Sequence, residues 1–312
     1  MIRILYKFYF MVSKKTFFNE IDFWVRFWAF LIRKLTPFWY KCTIPLKNKG
    51  INKKPGAETI IISLTSYPGR IDVVWMSIES ILRQTIKPDK IILWLGKEKF
   101  SGLDELPAIL KNQIKRGLTV EFREDLKPHT KYYHAMRENP ESTIITVDDD
   151  IIYPPDLFEK LLKFNKLYPN SIICHGARKI EINGSTFLNY SKWPNWHKKP
   201  IETRERFDLL PLGVMGVLYP PGKLHEELFN IELLKKHSLY ADDLWLKAMA
   251  LKKGTKAVLT NSFKRVFVEI TDSQTESLMS SNIGKNLNDK QFKSLDEEFG
   301  LFELYSHLME KN

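Results

Sequence analysis

The stretch 144–161, IITVDDDIIYPPDLFEKL, decides the fold. Its first four residues, Ile144-Ile145-Thr146-Val147, are the kind of short apolar run that forms a strand buried on both faces. Three aspartates follow, and then Tyr153-Pro154-Pro155 stops the extended run. Beyond the prolines, Asp156 occupies an N-cap position with Glu159 three residues on. That is a capping box ahead of an apolar-periodic helix reaching Leu167. Strand, acidic turn and helix make one unit of an α/β protein.

The alternation continues in both directions. Upstream, 59–65 (TIIISLT), 90–95 (KIILWL) and 118–122 read as strands, with helical periodicity at 73–84 and 129–138. Downstream, 171–174 and 256–259 read as strands, and 224–236, 242–253 and 289–309 as helices. The pattern predicts a three-layer, Rossmann-type, mainly parallel sheet. The stretch 176–222, broken by Trp193, Trp196 and several prolines, reads as loops and short strands over the sheet edge. Three segments follow: a basic, aromatic-rich region at 1–54 ending in the linker 47–56 (KNKGINKKPG), a catalytic body at 55–290, and a helical tail at 291–312.

Charge is unevenly spread. Of 48 Lys and Arg, twelve lie in residues 1–54 against two acids, Glu20 and Asp22. The remaining 36 basic residues meet 35 acids, so +10 of the net charge of +11 belongs to the N-terminal segment. A high pI located there gives no reason to expect nucleic acid as a partner. Fourteen of the 40 Phe, Trp and Tyr residues also fall in 1–40. Arg3, Lys7 and Lys14 recur at helical spacing, as do Asp22, Arg26 and Arg33, leaving Phe23, Trp24, Phe27, Trp28 and Phe30 on the wider face. Neither stretch is an uninterrupted apolar span, so the expectation is a pair of basic amphipathic helices lying on an anionic membrane surface. The alternative is a helical pair packed on the protein's own core. Two cysteines, Cys42 and Cys174, give no disulfide framework and fit a reducing, cytoplasmic compartment.

Carboxylates leaving a strand end repel one another and resist burial, so Asp148-Asp149-Asp150 calls for a cation. Along a strand, side chains alternate, which would put Asp148 and Asp150 on one side and Asp149 on the other. Such a pair suits Mn2+ or Mg2+, which take oxygen ligands and leave positions for phosphate oxygens. An acidic turn with no metal is the plain alternative. In parallel sheets ligands bind beyond the carboxyl ends of the strands, where both the triplet and the turn at 66–70 (SYPGR) fall. Arg70 and Lys131, with His129 a weaker choice, are candidates for phosphate, and Thr65 and Tyr67 for a nucleotide base. Trp193, Trp196 and Tyr190 suggest a flat platform for a sugar, or core plugs. His175 reads as a satisfied buried histidine.

Taken together, ISLTSYPGRI (62–71), PDKIILWL (88–95), the block at 144–161, and GVLYPPG with ADDLWLKAMAL (216–222 and 241–251) resemble bacterial capsule and lipopolysaccharide glycosyltransferases of the GT-A type. The resemblance spans roughly 58–290. It implies a nucleotide-sugar donor, a divalent cation held chiefly by Asp150, Asp149 near the sugar or ribose, and a glycan or lipid-linked acceptor. It also implies inversion with Asp243, or second Asp242, as the base that takes the acceptor's proton. That pair opens a helix, so capping is the structural alternative. The segment 93–97 (LWLGK) lacks the Asp-Gly-Ser typical of family-2 glycosyltransferases, so base recognition does not carry over. A binding module without turnover and an aspartate-dependent phosphotransferase are the competing readings.

Overall fold

The structure, a computed structural model, describes residues 1–12, 20–44, 49–52, 58–270 and 286–311, with side chains in the second stretch from Phe23 on. Lys14 and positions 47–48 and 53–56 of the linker lie outside the described residues. The chain begins with helices α1 (Ile2–Val12) and α2 (Glu20–Thr43). The body then alternates β1 (Ile60–Ser66), α3 (Trp75–Leu82), β2 (Lys90–Gly96), α4 (Ala108–Ile114), β3 (Leu118–Arg123), α5 (Thr130–Glu138) and β4 (Thr143–Thr146). After the aspartates come β5 (Ile151–Ile152), α6 (Leu157–Leu167), β6 (Ile172–Cys174), β7 (Ala177–Lys179), a small hairpin of β8 (Ile182–Asn183) and β9 (Thr186–Phe187), β10 (Leu209–Pro211) and β11 (Val217–Tyr219). Helices α7 (Ile231–His237) and α8 (Asp242–Lys253), strands β12 (Ala257–Leu259) and β13 (Val268–Glu269), and helices α9 (Leu287–Phe299) and α10 (Leu301–Glu310) complete the chain.

Seven strands form the central sheet in the order β12-β6-β11-β4-β1-β2-β3. All pair in parallel except β11, which runs antiparallel to both β4 and β6. The mainly parallel α/β sheet is the one the alternation predicts. Both faces are covered, so Ile61, Ile62, Leu64, Ile91, Leu93, Ile145 and Ile173 are fully buried, as continuous apolar strands require.

Four local expectations are corrected. The stretch 176–222 is not confined to the sheet edge, because β11 lies inside the sheet between β6 and β4. Three residues, Val217-Leu218-Tyr219, make that strand, and Gly216 at φ +80° turns the chain into it. Asp156 makes no side-chain cap: its backbone (φ −111°, ψ 18°) is not extended, and its carboxylate pairs with Lys160 at 2.8 Å. Glu159 accepts a hydrogen bond from Thr85 Oγ1 at 2.9 Å instead of closing a capping box. The stretch 224–236 splits into a 3-10 turn, Glu226–Phe229, and α7, which Asn230 caps through its Oδ1 at 3.1 Å from the Leu233 amide.

The terminal segments are docked onto the body. The boundary at 290/291 falls inside α9, and Phe292, Leu295 and Leu301 join the core. From the N-terminal helices, Leu5, Tyr6, Tyr9, Val25, Ile32 and Tyr40 are buried. Tyr6 donates its hydroxyl to the Ile152 carbonyl, Tyr9 to Val266 at 2.9 Å, and Arg33 Nε to Glu269 at 3.0 Å. No helix among the described residues is long and apolar enough to cross a membrane.

Candidate active site

The register of β1 on β4 builds one half of the site. Ser63 pairs with Thr146, so three residues further along each chain Ser66 meets Asp149. The Ser66 hydroxyl donates to Asp149 Oδ2 at 2.6 Å. The turn after β1 carries Arg70 back over the same place, where Nη1 lies 2.7 Å from Asp149 Oδ1 and 3.0 Å from Asp150 Oδ2. The guanidinium also stacks over the Tyr67 ring at 5.5 Å. Asp148 turns elsewhere: its amide donates to the Tyr153 hydroxyl at 2.8 Å, and its carboxylate meets Lys131 Nζ at 2.9 Å. Strand parity therefore does not sort the triplet. β4 ends at Thr146, the aspartates lie in the following turn, and Asp149 and Asp150 share Arg70 while Asp148 does not.

Burial, then the neighbouring Asp149 charge, raises the Asp150 carboxyl to about 7 against the pull of Arg70. Burial raises Asp149 as well. A cation bound by Asp150 would have to displace that proton, which makes its binding pH-dependent.

Helix α8 supplies the other half. Asp242 and Asp243 occupy its first turn, but neither caps it, since the cap position is Ala241 and no side chain bonds there. Asp242 Oδ2 lies 2.7 Å from Lys131 Nζ and takes no hydrogen bond besides this ionic contact. Asp243 receives the Gly213 amide on both oxygens, at 3.1 and 3.2 Å. A Cβ at Gly213 would stand 2.7 Å from Lys131 Nζ and 3.1 Å from Asp243 Oδ1, so a larger residue here would displace the lysine ammonium. A helix N-terminus favours ionised carboxylates, yet burial and the Asp242 charge push Asp243 well above the usual range. Lys131 is buried, which opposes its charge. The charges of Asp148, Asp242 and Asp243 outweigh that and hold the ammonium protonated.

Both halves open on one cleft of about 820 Å³. Thr65, Tyr67, Arg70, Lys131, Asp148, Asp149, Asp150, Asp242 and Asp243 all line it. His129 does not. Its ring is buried between the Tyr132 hydroxyl and the Ser238 carbonyl, and burial lowers it to about 4. Of the two readings for Trp193 the structure gives the core plug: it packs against Phe292, with its indole N–H on the Leu188 carbonyl at 2.8 Å. Trp196 and Tyr190 do reach the cleft wall. His175 is buried and satisfied by Thr260 and the Leu157 carbonyl.

Several lining residues had no sequence signal. Lys99, Asp125 and Lys127 close the end near β2 and β3, where Lys99 and Asp125 pair at 2.5 Å. Arg178 lies over the Tyr190 ring at 4.5 Å. Tyr9, Ala29 and Arg33 come from the N-terminal helices, and Glu269 from β13. Among the described residues no three His, Cys, Asp or Glu side chains converge as a closed metal cage.

The site thus lies beyond the carboxyl ends of a mainly parallel sheet, where such folds bind their ligands. Residues 61–217 match Glycosyl transferase family 2, just over half of the chain, and the protein belongs to that family. It is therefore a glycosyltransferase. The match holds the aspartate triplet and Arg70 and stops short of Asp242 and Asp243. Similar solved structures include a mannosyltransferase, PcManGT, from Pyrobaculum calidifontis in complex with GDP-Man and Mn2+ (TM-score 0.43, 12% identity, covering 91% of this chain and 84% of that one). S. aureus TarS 1-349 has a TM-score of 0.43 at 11% identity, covering 80% and 71%. A 4-diphosphocytidyl-2C-methyl-D-erythritol synthase has 0.39 at 11% identity, covering 75% and 100%. A comparison with curated proteins gives no match.

Proposed function

We propose that the protein moves a sugar from a nucleotide-sugar donor to a glycan or lipid-linked acceptor in bacterial capsule or lipopolysaccharide synthesis, at the inner face of the cell membrane. The observation that carries the chemistry is the meeting of two carboxylate clusters, 148–150 and 242–243, around Lys131 in one cleft. The surface-polysaccharide setting comes from the sequence resemblance, and the membrane setting from the basic, aromatic-rich segment 1–40.

Asp150 is the assigned holder of Mn2+ or Mg2+; Asp148, paired with it in the sequence expectation, turns to Lys131 instead. The donor fits: the ligand is a hard carboxylate, raised to about 7. Mg2+ sites commonly use one or two carboxylates and complete themselves with substrate phosphates, so a closed cage is not needed. Such an ion supplies charge stabilisation for the departing diphosphate. Arg70 adds a guanidinium at the same place and positions Asp149 and Asp150. Thr65 and Tyr67 lie on the side assigned to the nucleotide. Asp243 is the assigned base, because its raised affinity for a proton suits it to take one from an acceptor hydroxyl. Lys131 stays charged and fixes Asp242 beside it.

The test is release of nucleoside diphosphate from a panel of nucleotide sugars. The reading predicts release that requires added Mn2+ or Mg2+ and disappears with EDTA. Full activity in EDTA would remove the metal, and inactivity with every donor would remove the transfer assignment.

A further inference from the structure

Helices α1 and α2 are apolar on two sides. The inner side packs on the body and contributes Tyr9, Ala29 and Arg33 to the cleft wall. The outer side exposes Phe8, Phe23, Trp24, Phe27, Phe30 and Phe38, the last 72% exposed. Phe8 stacks on Trp28 with ring centroids 4.8 Å apart, which joins the outer faces of the two helices into one patch. Phe30 stands three residues before Arg33, so on the helix surface the two are neighbours. The outer patch therefore runs up to the cleft at Arg33. Exposed apolar patches of this kind mark interaction surfaces.

Charge indicates what covers it. Arg3, Lys7, Arg26, Lys34 and Lys41 are exposed on the same two helices, and no acid with a described side chain lies on either. A second copy seated across a two-fold axis would set these cations against themselves. An anionic lipid surface complements them. Arg33 continues the positive charge into the cleft. There its Nε holds Glu269, and the next residue, Ile270, donates its amide to the Asp150 carbonyl at 2.7 Å. Helix α2 thus contacts the strand that buttresses the aspartate turn.

We propose that the acceptor is a sugar carried on a lipid phosphate: the apolar chain lies along the outer face of α2 beside Phe30 and Phe27, the phosphate meets Arg33 at the cleft rim, and the sugar hydroxyl faces Asp243, which takes its proton as the hydroxyl oxygen bonds the donor sugar and the nucleoside diphosphate leaves. The proposal rests on the glycosyltransferase reading of the cleft and chooses, between the two acceptor classes, the lipid-linked one. Arg33 is then a specificity-determining residue for the acceptor, and the N-terminal helices are part of the site.

The test uses the full chain and three probes below their micelle concentrations: dodecyl phosphate, dodecyl maltoside and inorganic phosphate. Nucleotide-sugar binding is measured on the same samples. The proposal expects dodecyl phosphate to bind at least about tenfold more tightly than either control, the equivalent of one well-placed ionic contact. Arg33→Gln should erase the advantage over dodecyl maltoside, Arg33→Lys should keep part of it, and Phe30→Ser should weaken both amphiphiles. With phosphatidylcholine vesicles, added phosphatidylglycerol should strengthen binding in the wild type and in Arg33→Gln alike. Arg33 serves the bound lipid, and the exposed cations serve the bilayer. Equal binding of the two amphiphiles, or a phosphate preference that survives Arg33→Gln, overturns the proposal while leaving the donor site standing. A wild type that binds no nucleotide sugar overturns the reading beneath it as well.

Discussion

The aspartates at 148–150 and the pair at 242–243 face one cleft but are held there by different means. The triplet lies in a turn, and its charge is met by a side chain from the next strand end: Arg70 contacts Asp149 and Asp150 through one nitrogen. The pair opens a helix, and its charge is met from across the cleft by Lys131, while a backbone amide holds Asp243. The triplet falls within the family-2 match and the pair falls outside it. Neighbouring strands fix the geometry of the first cluster. The second exists only because α5, the glycine turn before β11 and the start of α8 converge. Lys131 alone, among the described residues, forms ion pairs with both clusters.

This contrast can be broken from either side. The largest effect is expected from Asp150→Ala. It removes the assigned cation ligand and should lower transfer by about a thousandfold, as loss of a charge-stabilising group does, with an unchanged circular dichroism spectrum. Near-normal turnover would detach the triplet from the chemistry. Asp243→Asn should cost about a hundred- to ten-thousandfold in transfer, the range for a general base, while nucleotide-sugar affinity holds. An active Asp243→Asn beside an inactive Asp242→Asn would exchange their roles.

Lys131→Met tests the link between the clusters. It leaves two carboxylates facing each other without their buried cation, and breaking such a pair costs about 3–5 kcal/mol, measurable by urea unfolding. An unchanged midpoint would mean the clusters are independent. Gly213→Ala should be milder, about 1–3 kcal/mol for an added methyl in a filled space, and should impair transfer more than donor binding because it displaces Lys131 and Asp243.

Burial raises carboxyls in both clusters, so it is the Mn2+-dependent part of the pH profile that isolates the triplet without mutation. Asp150 titrates at about 7 in the fold, above its unfolded value, so its proton stabilises the metal-free protein at low pH. That contribution is lost as pH rises from the ordinary carboxylate range through about 7. Mn2+ needs the ionised form, so its stabilising effect should grow over the same window. A thermal-shift series with and without Mn2+ reads both trends, and parallel curves would exclude Asp150 as a ligand.

The sheet was legible because buried parallel strands are apolar runs, as at 60–66, 90–96 and 143–146. β11 was not, because three residues between Gly216 and Pro220 carry too little pattern to distinguish a central strand from a loop. The site residues were legible where a strand end announced them, as with Thr65, Arg70 and the triplet. Strand parity misled at Asp148 and Asp150 because the strand had already ended. Asp156 resembled a cap by spacing, but the turn after Pro155 gave it the wrong backbone. His129 sits beside Lys131 in sequence, yet one points into the core and the other into the cleft, which a 3-10 turn leading into α5 decides. Tyr9, Arg33 and Glu269 reach the cleft through tertiary packing alone, so no local signal marks them.

The central claim is that Asp150 couples a divalent cation to nucleotide-sugar binding. The direct measurement is a thermal-shift screen of nucleotide sugars, with and without Mn2+, on the wild type and Asp150→Ala. The account predicts that at least one donor raises the wild-type melting temperature only when Mn2+ is present, and that Asp150→Ala loses this shift. A donor shift of equal size in Asp150→Ala, or one indifferent to Mn2+, would contradict it.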